Sequence, residues 1–185
     1  MSLPPAVPDR TLVTVSGAQV LVPDPDRLVH LQFRRFAGCP VCNLHLRTIV
    51  ARRAEIAAAG IREVVVFHSS AAELRKYTAE MPLDVIADPD RKLYREFGVE
   101  NSPRALLDPR GWPAILRGVT HAAYATLRRR QAAPPTTPEG GSLGLPADFL
   151  ISPDGRVLAA KHGTHVYDQW SVDELLALVP AERHA

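Results

Sequence analysis

At 185 residues, 46% of them hydrophobic, the chain can bury one ordinary domain core but not several. A net charge of +2, with basic residues scattered apart from Arg34-Arg35 and Arg128-Arg129-Arg130, argues against a nucleic-acid partner. Two cysteines within one four-residue motif are too few for a disulfide-stapled secreted scaffold and direct attention to redox or metal chemistry. The N-terminus has no basic region followed by an apolar run, and no stretch reaches the length of a membrane span. The expected location is therefore cytoplasmic, with no membrane partner.

In chain order, residues 1–10 are proline-rich and read as a loose arm. Residues 11–15 and 19–22, joined at Ser16-Gly17, predict a β-hairpin, broken by Pro23 and Pro25. Residues 28–33 predict a strand. A long helix follows to Ala59, with Cys42, Leu46, Val50 and Ala54 recurring every four residues and Gly60 as its stop. The run Val64-Val65-Val66-Phe67 suits a strand buried on both faces. Ser70 and Glu73 form a capping-box pattern opening a helix through Tyr77, then 83–86 is a short strand and 91–97 a helix stopped by Gly98. Residues 99–145 are proline-rich and irregular, with a helix expected near 121–131. A hairpin spans 149–160 around Ser152-Pro153-Asp154-Gly155, and Ser171 caps a last helix through Val179.

The chain is organised around Cys39-Pro40-Val41-Cys42, where the strand at 28–33 hands over to the long helix. With Cys39 at the cap, Pro40 takes the first helical position, where its fixed φ fits and its missing N–H is not needed. Cys39 is then expected at the exposed positive end of the helix, where a thiolate is stabilised by the dipole and by unpaired N–H groups. Cys42 falls on the core-facing stripe. Cys39 is thus the candidate attacking sulfur and Cys42 its recessed partner. The order of elements, with Cys-x-x-Cys at the first strand-to-helix junction, predicts an α/β thioredoxin-like fold. Its central mixed sheet is flanked by helices, with an N-terminal β-hairpin and an irregular insertion at about 99–145, all in a single domain over 1–185.

The segments 33–42, 65–69, 88–99 and 145–155 together resemble the peroxiredoxin-like branch of the alkyl hydroperoxide reductase and thiol-specific antioxidant (AhpC/TSA) superfamily. The resemblance implies an antioxidant thiol oxidoreductase acting on a peroxide or disulfide substrate and regenerated by a cellular, thioredoxin-like dithiol. It also implies no cofactor. Two departures stand out. The Pro-x-x-x-Thr/Ser-x-x-Cys signature is replaced, with Gln32 and Phe36 at its key positions. The arginine ahead of the late strand is replaced by Pro146, where thioredoxin relatives carry a cis-proline. The resemblance therefore implies a cis Leu145–Pro146 bond close to Cys39, with free backbone groups for substrate.

Other residues remain open at this point. Arg34 and Arg35 are candidates to hold the thiolate, or are solvated residues at a strand end. His68, with His162 and His165 behind it, is a candidate acid–base group or a loop histidine. Cys39, Cys42 and His45 have Cys-x-x-Cys-x-x-His spacing, but no second ligand pair completes a structural metal site. A non-catalytic binding protein and a Cys/His metal module are the alternatives to an enzyme. The assembly state is open, a homodimer included.

Overall fold

The computed structural model describes residues 6–78, 81–99, 107–128, 133–135, 137–138 and 141–180. Strands β1 (Arg10–Val13) and β2 (Gln19–Val22) pair antiparallel as the expected hairpin, with Gly17 at φ +90° in its turn. The main sheet has five strands in the order β5-β4-β3-β6-β7. Its centre is β3 (Leu28–Arg34), parallel to β4 (Ile61–Phe67), which is parallel to β5 (Asp84–Ala87). On the other side β3 pairs antiparallel with β6 (Ala147–Ile151), and β6 with β7 (Val157–His162). The α-helices lying wholly among the described residues are α1 (Pro40–Ala51), α2 (Arg53–Ala58), α3 (Ala71–Thr78), α4 (Lys92–Glu96), α5 (Trp112–Leu127) and α6 (Val172–Ala177).

Every residue of β3 is buried, so its sequence alternation separates two buried faces rather than an inner from an outer one. Val29, Leu31 and Phe33 join Val64, Val66, Phe149 and Ile151 in an apolar layer closed by Tyr94 and Phe97. The other face of β3 carries Leu28, His30, Gln32 and Arg34. Beneath α1 lies a second cluster with both cysteines, Leu46, Val65, Phe67 and Val85.

Local chemistry explains most element ends. Gly60 closes α2 at φ +73°, which only glycine adopts without strain. The Asp88 carboxylate accepts from the first N–H groups of α4, at Lys92, Leu93 and Tyr94. Ser171 and Glu174 complete a reciprocal capping box on α6.

Three expectations are corrected. The helix after the cysteines breaks at Arg52, whose φ of −110° ends α1. Beyond the break Ile56 is the residue that turns inward, while Val50 is half-buried and Ala54 exposed. The N-terminal arm is not loose at its end: Ala6 bridges Arg156, and Val7 is buried with its N–H on the Gly155 carbonyl. Finally, the helix expected at 121–131 begins nine residues earlier, at Trp112, with Pro113 tolerated because it falls in the first turn. Residues 129–131 of that expectation lie outside the described residues.

Candidate active site

Cys39 is the N-cap of α1 and Pro40 its first residue, as the sequence predicts. The Cys39 sulfur accepts from the Cys42 N–H at 3.4 Å and from the Cys42 thiol at 2.9 Å, and both cysteines are free thiols. Arg35 directs Nη1 at the same sulfur from 3.9 Å. Its guanidinium also lies over the Phe36 ring and donates to the Ser142 carbonyl. Gly38, at φ +74°, makes the turn that delivers Cys39 to the cap; a Cβ there would sit 2.6 Å from the Tyr77 ring.

The expected exposure of Cys39 is corrected: its accessible surface is 0%, as is that of Cys42. The cover comes from segments distant in sequence. Helix α5 approaches the start of α1 so closely that a Cβ on Gly118 would lie 3.0 Å from the Pro40 carbonyl. Ala114, Ile115 and Leu145 pack on the cysteine cluster, and the Tyr77 hydroxyl holds the Ala133 carbonyl near Gly38. Helix α5 and the Tyr77–Ala133 contact therefore cover the site.

Burial alone raises a thiol's pKa. At Cys39 it is outweighed by the hydrogen bond from the Cys42 thiol, the Arg35 charge and the N–H groups of Cys42 and Val41, and the pKa falls to about 7. Burial pushes Cys42 the other way, well above its usual value, reinforced by its bond to Cys39 and by the Cys39 charge. One sulfur is poised as a thiolate and its neighbour as the proton donor to it.

Arg34 points away from Arg35 and from the sulfurs. It donates to Asp148 at 2.8 Å and to Gln32, with both members of the ion pair fully buried. His30 lies between Glu63 (2.8 Å) and Asp148 (3.2 Å). Burial would lower its pKa, but the two carboxylates hold it up at about 9. His45 Nε2 meets the Trp170 carbonyl at 2.9 Å and its Nδ1 faces Arg34. Burial and the Arg34 charge push it down to about 4, so it is neutral. Its ring is committed to this network rather than to the cysteine sulfurs. Among the described residues, no group of three or more His, Cys, Asp or Glu is arranged to hold a metal.

The remaining sequence candidates divide. Leu145 reaches the cysteine cluster. The bond between Leu145 and Pro146 is not cis; the cis bond among the described residues is Val22–Pro23. The Pro146 carbonyl accepts from the Gly163 N–H at 2.8 Å, and its ring packs on Gly163, so its geometry is set by the end of β7. His68 is buried edge-on to Tyr94, with its backbone N–H on the Arg35 carbonyl. His162 bonds the Phe97 carbonyl and packs on Phe149, in the apolar layer on the opposite side of the sheet. His165 caps a local turn through the Tyr167 N–H. Sequence reasoning passed over Asp148, His30 and Glu63. Their available signal was the alternation of His30, Gln32 and Arg34 with apolar residues along one strand.

A mixed sheet flanked by helices, with a dithiol at the start of the helix after its central strand, defines a thioredoxin-like protein. The profile of the AhpC/TSA antioxidant enzyme family matches residues 48–165, and the chain belongs to that family. The matched segment begins after Cys42, so the cysteine pair rests on its own geometry. Among solved structures, a peroxidoxin, BcpB, from Mycobacterium tuberculosis is similar at a TM-score of 0.65 and 17% identity, covering 94% of this chain and 93% of that one. A peroxiredoxin 6 of Arenicola marina reaches a TM-score of 0.68 at 14% identity, covering 99% and 74%. A protein assigned as a thiol:disulfide interchange protein, DsbE, from Chlorobium tepidum gives 0.59 at 19%, covering 97% and 100%. No curated protein matches the chain. No helix among the described residues is long and apolar enough to cross a membrane.

Proposed function

We propose that the protein is a thiol-dependent peroxidase whose working couple is the Cys39/Cys42 dithiol. The observation that carries this reading is the Cys42 thiol directed at the Cys39 sulfur from 2.9 Å, at a helix cap beside Arg35. The Cys39 thiolate attacks the terminal oxygen of a hydroperoxide. The O–O bond breaks, Cys39 becomes a sulfenic acid, and the departing alkoxide takes up from solvent the proton that Cys39 gave up on ionising, leaving as the alcohol. Cys42 then attacks that sulfur; its proton leaves with the displaced hydroxide as water, and the 39–42 disulfide forms. A dithiol reductant of thioredoxin type returns both thiols and is itself oxidised to a disulfide.

Burial of Cys39 favours a small hydroperoxide over a protein disulfide as oxidant. Thiol–disulfide exchange needs the incoming sulfurs in line with the attacking one, and a fully buried Cys39 beneath α5 and the Tyr77–Ala133 contact supports the smaller oxidant. Arg35 supplies the positive charge beside the sulfur that the resemblance places ahead of the late strand. Regeneration by a protein dithiol requires the cover to open. Hydrogen peroxide added to reduced protein should consume two thiols per chain without sulfur-linked dimers; no thiol loss overturns the proposal.

A further inference from the structure

Helix α5 has two apolar faces. One, with Ala114, Gly118, Ala122 and Ala125, packs on α1. The opposite one carries Trp112, Leu116, Val119, Ala123 and Leu127, spaced by four, three, four and four residues, which aligns them in one stripe about 22 Å long. All five are exposed, Trp112 at 58%, Leu116 at 66% and Leu127 at 84%. Five of the ten large exposed apolar side chains among the described residues sit on this helix, Tyr124 being the fifth. Soluble surfaces do not gather such a stripe without a use for it.

The charge around the stripe selects its occupant. From Pro109 to Pro138 the sequence has no Asp or Glu but five arginines: Arg110, Arg117, Arg128, Arg129 and Arg130. Arg110 is neutralised by Asp108, whereas Arg117 and Arg128 stand exposed on one flank of the helix, three turns apart. A second copy docked through the same stripe would bring arginine flanks together with no carboxylate between them. An anionic surface would be matched. Trp and Leu exposed along one side of a helix, with Arg on its flank, form a pattern suited to a helix lying in the lipid headgroup layer.

We propose that the exposed face of α5 docks the protein on the surface of an anionic lipid bilayer. The apolar stripe enters the boundary between headgroups and acyl chains, with Arg117 and Arg128 on lipid phosphates. The absence of a spanning segment, which led to the expectation of no membrane partner, does not bear on a helix that lies on the surface. The proposal is independent of the thiol chemistry.

The test is flotation of the full chain with phosphatidylcholine vesicles, with and without about one third phosphatidylglycerol. The protein should float with the anionic vesicles and not with the neutral ones. Its tryptophan emission should shift to the blue on binding, and Trp112→Phe should remove that shift, because Trp170 is already buried. Leu116→Ser with Leu127→Ser should abolish binding. Arg117→Gln with Arg128→Gln should weaken it about thirtyfold at low salt, at about fivefold for each arginine near the surface. Failure to float with anionic vesicles overturns the proposal, as does flotation that survives the two leucine substitutions. A dimer abolished by those substitutions, without vesicle binding, assigns the face to a second copy instead.

Discussion

The Cys42 sulfur lies 2.9 Å from that of Cys39, with the Cys42 thiol donating to it. A disulfide needs about 2.05 Å, so closure requires a shift of less than one bond length. The same contact lowers the pKa of one sulfur and raises that of the other. One interaction thus sets the two sulfurs apart in the sense that the proposed roles of attacking thiolate and resolving partner require.

That contact sets the pH dependence of the first step. Reactivity of Cys39 should rise with pH and level off above about 7, because the thiolate is the nucleophile. Arg35→Met removes a charge that favours the thiolate, so the midpoint should move upward. Below neutrality the rate should fall roughly tenfold for each unit of that movement. Stopped-flow measurement of sulfenic acid formation against pH checks it. An unchanged midpoint would show that Arg35 does not act on this sulfur.

The cover over Cys39 should be testable by access. Gly118 touches the Pro40 backbone so closely that Gly118→Val must push α5 away from α1. A bulky aromatic disulfide reagent should then label Cys39 several-fold faster than in the wild type, while circular dichroism stays unchanged. Equal labelling rates would mean that α5 is not the barrier.

Gly38→Ala combines a left-handed φ with a Cβ 2.6 Å from Tyr77 Cε1. It should cost on the order of 1–3 kcal/mol, read from denaturant unfolding. In the background of Tyr77→Ala most of the steric part of that cost disappears, leaving Pro135 Cδ at 3.0 Å and the backbone part of about 1 kcal/mol. Additive costs would show that the ring and the glycine do not constrain each other.

The buried charges give stability a defined pH window. His30 is held above its ordinary value, to about 9, so its contribution is complete below about pH 6.5 and is lost as pH rises through 9. Asp148 is depressed: burial opposes this, but the Arg34 charge and His30 prevail. Its contribution is complete above the ordinary aspartate range and lost as pH falls through its native pKa. The alkaline loss should be on the order of 3 kcal/mol and should vanish in His30→Leu. Asp148→Asn leaves Arg34 and His30 facing one carboxylate fewer and should cost about 3–5 kcal/mol. Unfolding free energies measured across pH decide both.

Much of this architecture is legible in the sequence where its cause is local. Gly17, Gly60, the Ser171 cap and Pro40 behind Cys39 each act within a few residues, and each marks the element end it should. The burial of Cys39 is not legible, because it depends on Gly118 and Tyr77, remote in sequence, reaching one helix end. The buried polar network on β3 is not legible for a related reason. Residues 28–33 read simply as a strand, with Arg34 open to solvation at its end, whereas His30, Gln32 and Arg34 are buried and satisfied by Glu63 and Asp148 from neighbouring strands. Arg52 breaks the helix without a proline or glycine to announce it, held instead by Glu55 and Asp173.

The central claim is that Cys39 attacks and Cys42 resolves. Reduced wild type, Cys39→Ser and Cys42→Ser should be mixed with hydrogen peroxide, treated with a sulfenic-acid trap and mapped by peptide mass spectrometry. Wild type should yield the 39–42 disulfide, Cys42→Ser a trapped sulfenic acid on Cys39, and Cys39→Ser no oxidation on that timescale. Full reactivity in Cys39→Ser with loss in Cys42→Ser would reverse the two roles, and equal reactivity in all three proteins would contradict the account.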